Sequence, residues 1–468
     1  MLIVLVALIS FSHLVLAQSD AWMPSNESVN SAFLRHPHGY WIEKSAGGGE
    51  LRFEEVEQNE QFVLVEDPGR KMQIRLYTDH AELRTDDNPF AKWKTGKWIE
   101  ASEIPDDFKL SIPDYKIRIV YFIPSDRKPT NDYQAKITTV MNFVASLYRY
   151  ELQRRGHKDA GLKFEMAGEK TYRVHLVSGK QPAARYNDAP AYDAGKQWDR
   201  ILPDIPDEVA SPTKNLMIVF AETYDSGPAK WEWPGGIALG ARFSSEGGCG
   251  IFSAWILQDE FCATNTQDQI KLLNDATPIH GRFALGHGRI DSPRFEFIED
   301  GFGAVAHELG HAVGLPHDMR QDDRYIMGNG FRNLRINLNK ALRPEERVGF
   351  SDDNALLLAG SRFLNPELDL TDARTPEVTL TVLRKVDSDN YLVNFNATDD
   401  KALKGVVFFD QVRSSVVGSK PLNGKRQEFK IALPLQVDQQ GGQVKISAQV
   451  IDHGGNIRTI ENVSGAKQ

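Results

Sequence analysis

Three histidines and one glutamate stand close together between Ala306 and Asp318, in the stretch AHELGHAVGLPHD. The chain has only 12 histidines in 468 residues, so this group is a marked concentration. Residues four apart on a helix share one face, and His307 and His311 would therefore point the same way. Imidazole nitrogens are the commonest metal ligands in proteins, and this spacing favours a metal site that also includes His317.

The flanking residues predict the helix and the turn that would bring the third histidine to the first two. Apolar residues recur at helical spacing and predict a buried stripe away from the histidines: Phe302, Val305, Leu309 and Val313. Asp300 is expected to cap the start of this helix. Gly314 suits the left-handed conformation that ends a helix, after which the chain can return and bring His317 to the same point.

Three neutral imidazoles with an open fourth position are typical of a catalytic zinc site and not of a closed structural one. Glu308 lies about 100 degrees around the helix from His307, where it can contact a metal-bound water. We therefore expect one catalytic Zn²⁺ held by His307, His311 and His317, with Glu308 as the catalytic general base and not as a ligand.

The same stretch resembles the extended HExxHxxGxxH signature of the metzincin zinc metalloproteases. That family carries a methionine-containing turn below the zinc, and the resemblance assigns this role to Met327 in YIMGNG. Ordinary core filling is the alternative for a single methionine. The subfamily markers conflict: Asp318 resembles the adamalysin-like branch, the short span to the methionine resembles the matrixins, and Asn329 replaces the tyrosine of astacins and serralysins.

The resemblance implies a secreted zinc-dependent endopeptidase that hydrolyses peptide bonds in a protein or peptide substrate. It also implies that GGIALGARF is an edge strand that pairs with an extended substrate, and that a specificity pocket has its wall around Asn329 to Arg332. Two alternatives stay open. One is a catalytically inactive secreted binding or adhesion protein that uses the metzincin fold as a scaffold. The other is a zinc enzyme whose third ligand is a distant glutamate.

The patterns along the chain predict an α+β multidomain protein with four segments. Residues 1–17 read as a cleaved secretory signal peptide, with an uncleaved membrane anchor as the alternative. Residues 18–110 predict an all-β module that serves as a prodomain, a binding module or a cap, and FVLVEDPGRKMQIRLY within it predicts a hairpin around a Pro-Gly turn. Residues 113–366 predict the metzincin-like domain, a mixed twisted sheet plus the active-site helix. In this domain five segments read as strands: KIRIVYFIP, YRVHLVSG, NLMIVFAE, GGIALGARF and GIFSAWIL. A long helix after the first strand is predicted to have one apolar face: Ile137, Val140, Met141, Val144, Leu147, Tyr148 and Leu152. Residues 371–468 predict an immunoglobulin-like or fibronectin-like β-sandwich.

Composition and charge narrow the partners. The net charge of −9 argues against nucleic acid, and no later segment is apolar for long enough to span a membrane in the mature form. The accessory β domains are expected to bind a surface or substrate. Asp322 and Asp323 are candidates for calcium, although acidic pairs in loops are usually solvated and no Ca²⁺ site is indicated.

Two cysteines occur in the chain, Cys249 and Cys262. Because an even number of cysteines in a secreted protein indicates pairing, they are predicted to form a disulfide bond. Two buried free thiols are the alternative.

Overall fold

The computed structural model describes residues 20–25, 31–110, 113–169, 171–225, 236–244, 246–279, 291–372, 374–439 and 441–465. The chain divides into two compact units, the first reaching Ile112 and including Leu370–Ala373, and the second comprising Pro113–Asp369 and Arg374–Gln468. The predicted signal segment, residues 1–17, lies outside the described residues. In the described part of the chain, no helix is both long and apolar enough to cross a membrane.

The first unit is built around a closed antiparallel barrel. Between residues 20 and 99 the described strands are β1 (Ala21–Pro24), β2 (Ser31–Arg35), β3 (Tyr40–Ser45), β4 (Glu50–Gln58), β5 (Phe62–Asp67), β6 (Met72–Tyr77), β7 (His80–Thr85) and β8 (Ala91–Ile99). The barrel closes because β1 pairs with both β2 and β8. Alternate side chains of the strands fill its interior, including Trp22, Phe33, Trp41 and Phe53. The sequence predicts the all-β character and the β5–β6 hairpin, and the structure confirms both.

A mixed sheet forms the centre of the second unit. Its described strands from residue 113 to residue 253 are β9 (Ile117–Ile123), β10 (Met166–Gly168), β11 (Thr171–Tyr172), β12 (Val174–Ser178), β13 (Leu216–Ala221), β14 (Ala238–Ser244) and β15 (Gly247–Ser253). The sheet order is β12-β9-β13-β15-β14, with β14 antiparallel to β15 and the other neighbours parallel, while β10 and β11 pair separately. Every residue of β13 is buried, as expected for a parallel strand covered on both faces.

The predicted strands of this region are confirmed, with one change at GIFSAWIL. This segment is a strand only as far as Ser253 and continues as the 3-10 helix Ala254–Leu257. All four residues of that 3-10 helix are buried, so an apolar run alone did not distinguish a buried strand from a buried helical turn.

Helices cover the sheet and follow it. The described residues form α1 (Tyr133–Gln153), α2 (Ala183–Tyr186), α3 (Ala194–Ile201), α4 (Thr266–Leu273), α5 (Arg294–Ala312) and α6 (Asp352–Ala359). The predicted apolar face of α1 is buried: Ile137, Val140, Met141, Val144, Leu147, Tyr148 and Leu152. The Tyr148 hydroxyl donates a hydrogen bond to the Ala306 carbonyl at 2.8 Å, which holds α1 against α5.

The helix α5 lies very close to the sheet because glycines of β14 and β15 face it. A Cβ atom at Gly240 would lie 2.1 Å from the backbone oxygen of Glu308, and one at Gly248 would lie 2.0 Å from that of Ala312. Both distances are far below van der Waals contact, so only glycine permits this approach. The glycines of the strands therefore set the depth at which the histidine-bearing helix is seated.

The start of α5 differs from the sequence prediction. The helix begins at Arg294 after Pro293, so Asp300 does not cap it and lies buried in the second turn instead. Phe297 and Ile298 are fully buried and extend the apolar face upstream of the predicted start. Pro293 disfavours the helical conformation of the residue before it, which sets the start of the helix, and the burial of the two apolar residues outweighs the capping preference of the aspartate.

The C-terminal part of the second unit consists of two antiparallel sheets. Its described strands are β16 (Glu377–Lys385), β17 (Asn390–Thr398), β18 (Leu403–Asp410), β19 (Ser415–Pro421), β20 (Arg426–Pro434), β21 (Val444–Asp452) and β22 (Ile457–Gly465). The sheet orders are β16-β17-β20 and β19-β18-β21-β22. Side chains from both sheets share one apolar core that includes Val393, Phe395, Phe408 and Ile446. The two-sheet arrangement is present, and an immunoglobulin-like or fibronectin-like topology stays a prediction.

The predicted disulfide bond is wrong, because both cysteines are free and buried. Cys249 lies on β15 in the apolar cluster that α3 covers with Ile201. Its neighbour Gly248 faces α5 on the other side of the sheet, in agreement with the alternation of a strand. Cys262 donates a hydrogen bond from its Sγ atom to the Lys136 carbonyl of α1 at 3.5 Å. The two thiols therefore belong to different layers of the unit. Their closeness in the sequence, with twelve residues between them, does not reveal this.

Candidate metal centre

The first two candidate ligands lie on α5. His307 and His311 are one helical turn apart, and their Nε2 atoms are 3.1 Å from each other. His307 is buried and His311 is half-buried, so one side of each ring packs against protein. This is the arrangement that the four-residue spacing predicts.

Backbone carbonyls orient both of these rings. The His307 Nδ1 atom lies 2.6 Å from the carbonyl oxygen of Ile326, and the His311 Nδ1 atom lies 2.8 Å from that of Leu315. A carbonyl oxygen only accepts hydrogen bonds, so each Nδ1 must carry the proton. Each neutral ring then presents an unprotonated Nε2 to the common centre, which is the tautomer that a metal ligand requires.

The third histidine reaches the same centre through the turn after α5. Gly314 has a φ of +98°, and the Leu315 N–H donates to the Gly310 carbonyl at 2.8 Å, which closes the end of the helix. The Nε2 atom of His317 lies 3.1 Å from that of His311. The prediction for Gly314 is confirmed, and the structure brings His307, His311 and His317 together.

The cluster fits a zinc ion. The three ligand atoms lie within 4.8 Å of one another. Two nitrogens bound to one Zn²⁺ at tetrahedral angles are separated by about 3.3 Å, close to the observed 3.1 Å. His307 and His311 turn unprotonated nitrogens toward this centre, and a cation offsets the repulsion between their lone pairs.

Burial also keeps the histidines in the ligand form. Together with a smaller effect of the neighbouring imidazoles, it lowers the pKa of His307 to about 3 and the pKa of His311 to about 4. Burial lowers the pKa of His317 in the same direction, although this ring is the most exposed of the three. All three rings are therefore neutral at pH 7, where they can donate lone pairs to a metal.

Glu308 stands next to His307 on α5 and is half-buried. Burial raises the pKa of its carboxyl group to about 7, and a hydrogen bond from the backbone of Gly240 on β14 acts in the opposite direction. A cation held by the neighbouring histidines would lower this pKa again. The carboxyl group therefore lies between the histidine-bearing helix and the edge strand β14. Without a bound cation its pKa is near neutral pH.

Met327 lies beneath the helix, fully buried. A Cβ atom at Gly310 would lie 2.4 Å from its Sδ atom, so the absence of a side chain at Gly310 creates the space that the methionine fills. The Met327 carbonyl accepts a hydrogen bond from the Asp318 N–H at 2.9 Å. The segment that carries Met327 thus contacts both α5 and the chain that follows His317. Gly310 is a supporting residue that sequence reasoning missed.

Asp318 is a second supporting residue whose role the sequence did not reveal. Its side chain is fully buried and accepts two hydrogen bonds from the Arg320 guanidinium, at 2.9 and 2.6 Å, and one from the Arg320 backbone N–H at 3.3 Å. Arg320 also pairs with Asp353 on α6. A buried aspartate with a paired guanidinium anchors the chain directly after His317 to the last helix of this region.

The acidic pair considered for calcium has another use. The Asp322 carboxylate accepts hydrogen bonds from the backbone and side-chain nitrogens of Asn329, at 2.8 and 2.6 Å. Neither Asp322 nor Asp323 belongs to a cluster of described side chains that could hold a metal ion. The carboxylate of Asp322 instead shapes the loop that contains Asn329.

An open cleft of about 950 Å³ lies beside this loop. Arg332 lines it, and the preceding residue, Phe331, packs its ring against His307 with the ring centroids 5.0 Å apart. Glu299 and Asp300 from α5 line the same cleft together with apolar side chains such as Phe295 and Ile336, so its lining is mixed. Arg332 is also the last residue of the segment Asn329 to Arg332, where the resemblance predicts the wall of a specificity pocket.

Comparisons with known proteins do not assign the chain to a family. No family model matches it, and no curated protein matches it. Among solved structures, wild-type OgpA from Akkermansia muciniphila in two crystal forms is 18% identical with a TM-score of 0.48. The alignments cover 76% and 77% of this chain and 99% and 100% of those chains. A catalytically inactive OgpA in complex with an O-glycopeptide substrate, glycodrosocin, is 17% identical with the same TM-score. Here 76% of this chain and 100% of that chain are covered. Similarity at this level establishes neither a family nor an activity.

Proposed function

We propose that this chain is a secreted zinc endopeptidase that hydrolyses peptide bonds in a protein or peptide substrate. One observation carries the proposal. The Nε2 atoms of three imidazoles converge, and His311 lies 3.1 Å from each of the other two. On His307 and His311 the Nε2 atom is unprotonated, because Nδ1 carries the proton and donates it to a backbone carbonyl. Glu308 stands beside His307 on the same helix. This set of groups is suited to a metal-assisted hydrolysis and is not needed for packing alone.

In the proposed reaction the chain's own residues hold the ion and move one proton. His307, His311 and His317 would hold Zn²⁺ with a fourth position open. When bound, zinc would polarise the scissile carbonyl and increase the acidity of a water molecule. Glu308 would accept a proton from the water whose oxygen attacks the scissile carbonyl carbon, and would deliver that proton to the amine nitrogen as the carbon–nitrogen bond breaks. Its position next to His307 and its proton affinity support this assignment.

The edge strand supports the choice of a peptide as substrate. β14 pairs with β15 on one side, and no described strand pairs with its other side. An extended peptide can add to such an edge by main-chain hydrogen bonds. Gly240 lies on this strand beside Glu308, so a peptide bound along β14 would pass the candidate base. The cleft at Arg332, which has charged and apolar side chains in its lining, would then receive a side chain or substituent of the substrate.

The test combines metal loading with cleavage-site mapping. The mature chain, loaded with one equivalent of Zn²⁺, is incubated with a broad peptide library, and the products are identified by mass spectrometry. We expect internal cleavages that a chelator abolishes and added zinc restores. A chain that binds zinc and cleaves no peptide would contradict the proposal and favour a binding protein with this fold.

The proposal of secretion needs its own experiment. Expression with the native N-terminus, followed by N-terminal sequencing of the protein in the medium, should show a start near residue 18. Retention of residues 1–17 on a cell-bound protein would favour the anchor.

A further inference from the structure

The segment that carries the third candidate ligand has no regular structure of its own. Residues 315–319, called the ligand loop below, follow α5 and include His317. His307 and His311 are positioned by α5, which packs against a sheet. His317 lies outside this helix, so the position of its ring depends on the hydrogen bonds that hold the backbone of the ligand loop.

Four separate parts of the chain bind this backbone. The Leu315 N–H donates to Gly310 on α5 at 2.8 Å, and the Asp318 N–H donates to Met327 at 2.9 Å. The side-chain amide of Asn354 on α6 donates to the Pro316 carbonyl at 3.3 Å. The remaining contacts come from the C-terminal sheets, almost one hundred residues further along the chain.

The contacting element is β19, an edge strand of the four-stranded sheet. The Val416 N–H donates to the carbonyl oxygen of His317 itself at 2.9 Å. The Met319 N–H donates to the Ser415 Oγ atom, also at 2.9 Å. Val416 is fully buried and Ser415 is 4% exposed, so water does not readily replace these bonds.

We propose that β19 supports the metal centre, and that Ser415 and Val416 are positioning residues that fix the position and orientation of His317. The inference rests on the proposed function, because it concerns the same zinc site. An edge strand has backbone donors and acceptors without a partner in its own sheet. Here one of those donors is used on the residue that supplies the third ligand. The C-terminal sheets then contribute to metal affinity and are more than an appended binding module.

The size of the effect follows from how metal sites depend on their supporting hydrogen bonds. Loss of a group that orients a ligand commonly weakens metal binding by about 10- to 100-fold. Ser415→Ala removes the acceptor of the Met319 N–H and the hydroxyl that donates to the Val416 carbonyl at 3.2 Å, and it leaves the bond from the Val416 N–H to the His317 carbonyl in place. We therefore expect the lower end of that range, about a tenfold weaker affinity for Zn²⁺.

The experiment measures zinc affinity on the full-length chain by competition with a chelating dye. Ser415→Ala is compared with Ser447→Ala, a control on β21 of the same sheet. Ser447 is also buried, and its hydroxyl binds Gln411 and not the ligand loop. Both variants lose one buried hydroxyl, so both should lose similar thermal stability. Only Ser415→Ala should lose zinc affinity.

The outcomes separate this inference from the proposed function. Equal zinc affinity of Ser415→Ala and wild type overturns the role of β19, and so does an equal loss of affinity in Ser447→Ala. A wild-type chain that binds zinc tightly but cleaves no peptide overturns the proposed function alone, and the selective loss in Ser415→Ala would still establish the role of β19. A wild-type chain that binds no zinc overturns both.

Discussion

Replacing Glu308 by glutamine separates its chemistry from its place in the fold. The two side chains have the same length and shape, and the amide oxygen of glutamine can still accept the hydrogen bond from the Gly240 backbone. The histidines are oriented by Ile326 and Leu315 and not by Glu308. We therefore expect Glu308→Gln to fold, to retain one zinc ion per chain and to lose only the ability to accept a proton.

The expected loss is large. A positioned acid–base group contributes about 10²- to 10⁴-fold to the rate, which corresponds to about 3–5 kcal/mol of activation free energy. The loss should appear in kcat more than in KM, because the carboxylate acts on the reacting water and not on distant parts of the substrate. The assay compares steady-state turnover of zinc-loaded wild type and variant on a peptide that the library experiment identifies.

The matched control is Glu222→Gln. Glu222 is also a buried carboxyl group whose pKa burial raises, but its partners are Tyr121 and Thr130 and not the histidine cluster. Its replacement should change kcat by less than about threefold, within the small effects expected of a group outside the reaction. Equal turnover of Glu308→Gln and wild type would refute the role of Glu308 as the base. A loss of zinc in Glu308→Gln would refute the view that the site is held without it.

Three further results are expected. Alkylation of the unfolded, unreduced chain should add two labels, one each at Cys249 and Cys262, and a mass spectrum without added labels would show that they are bonded after all. Gly310→Ala should cost about 1–3 kcal/mol of stability and weaken zinc binding, because the new Cβ would lie 2.4 Å from the Met327 sulfur; unchanged melting and zinc content would contradict this packing. Burial raises the pKa of Glu299 from 4.5 to about 7, so the folded state prefers its protonated form and loses stability as the pH rises through this interval. Relative to Glu299→Gln, wild type should lose about 2.5 kcal/mol between pH 5 and pH 8 in urea unfolding, and parallel pH curves for the two proteins would exclude the shift.

Much of the second unit could be predicted from local patterns. The apolar face of α1 and the strands β9, β12, β13 and β14 follow from periodicities that depend on a few neighbouring residues. The start of α5 could not be predicted in this way, because a capping preference worth about 1 kcal/mol competes with the burial of Phe297 and Ile298. Local patterns also could not predict the closure of the barrel, because closure depends on the pairing of β1 with β8, more than sixty residues away.

The candidate site shows the same division. The spacing of His307 and His311 and the glycine that ends the helix determine two rings on one face and a reversal of the chain, because helix geometry is local. The tertiary structure alone decided that the cysteines lie in different layers, that Gly310 makes room for Met327, and that β19 holds the ligand loop. The hydrogen bond from the Val416 N–H to the His317 carbonyl joins residues ninety-nine positions apart, and no sequence pattern near either residue predicts it. Such contacts arise only when separately folded layers pack, and the packing determines which backbone donor meets which acceptor.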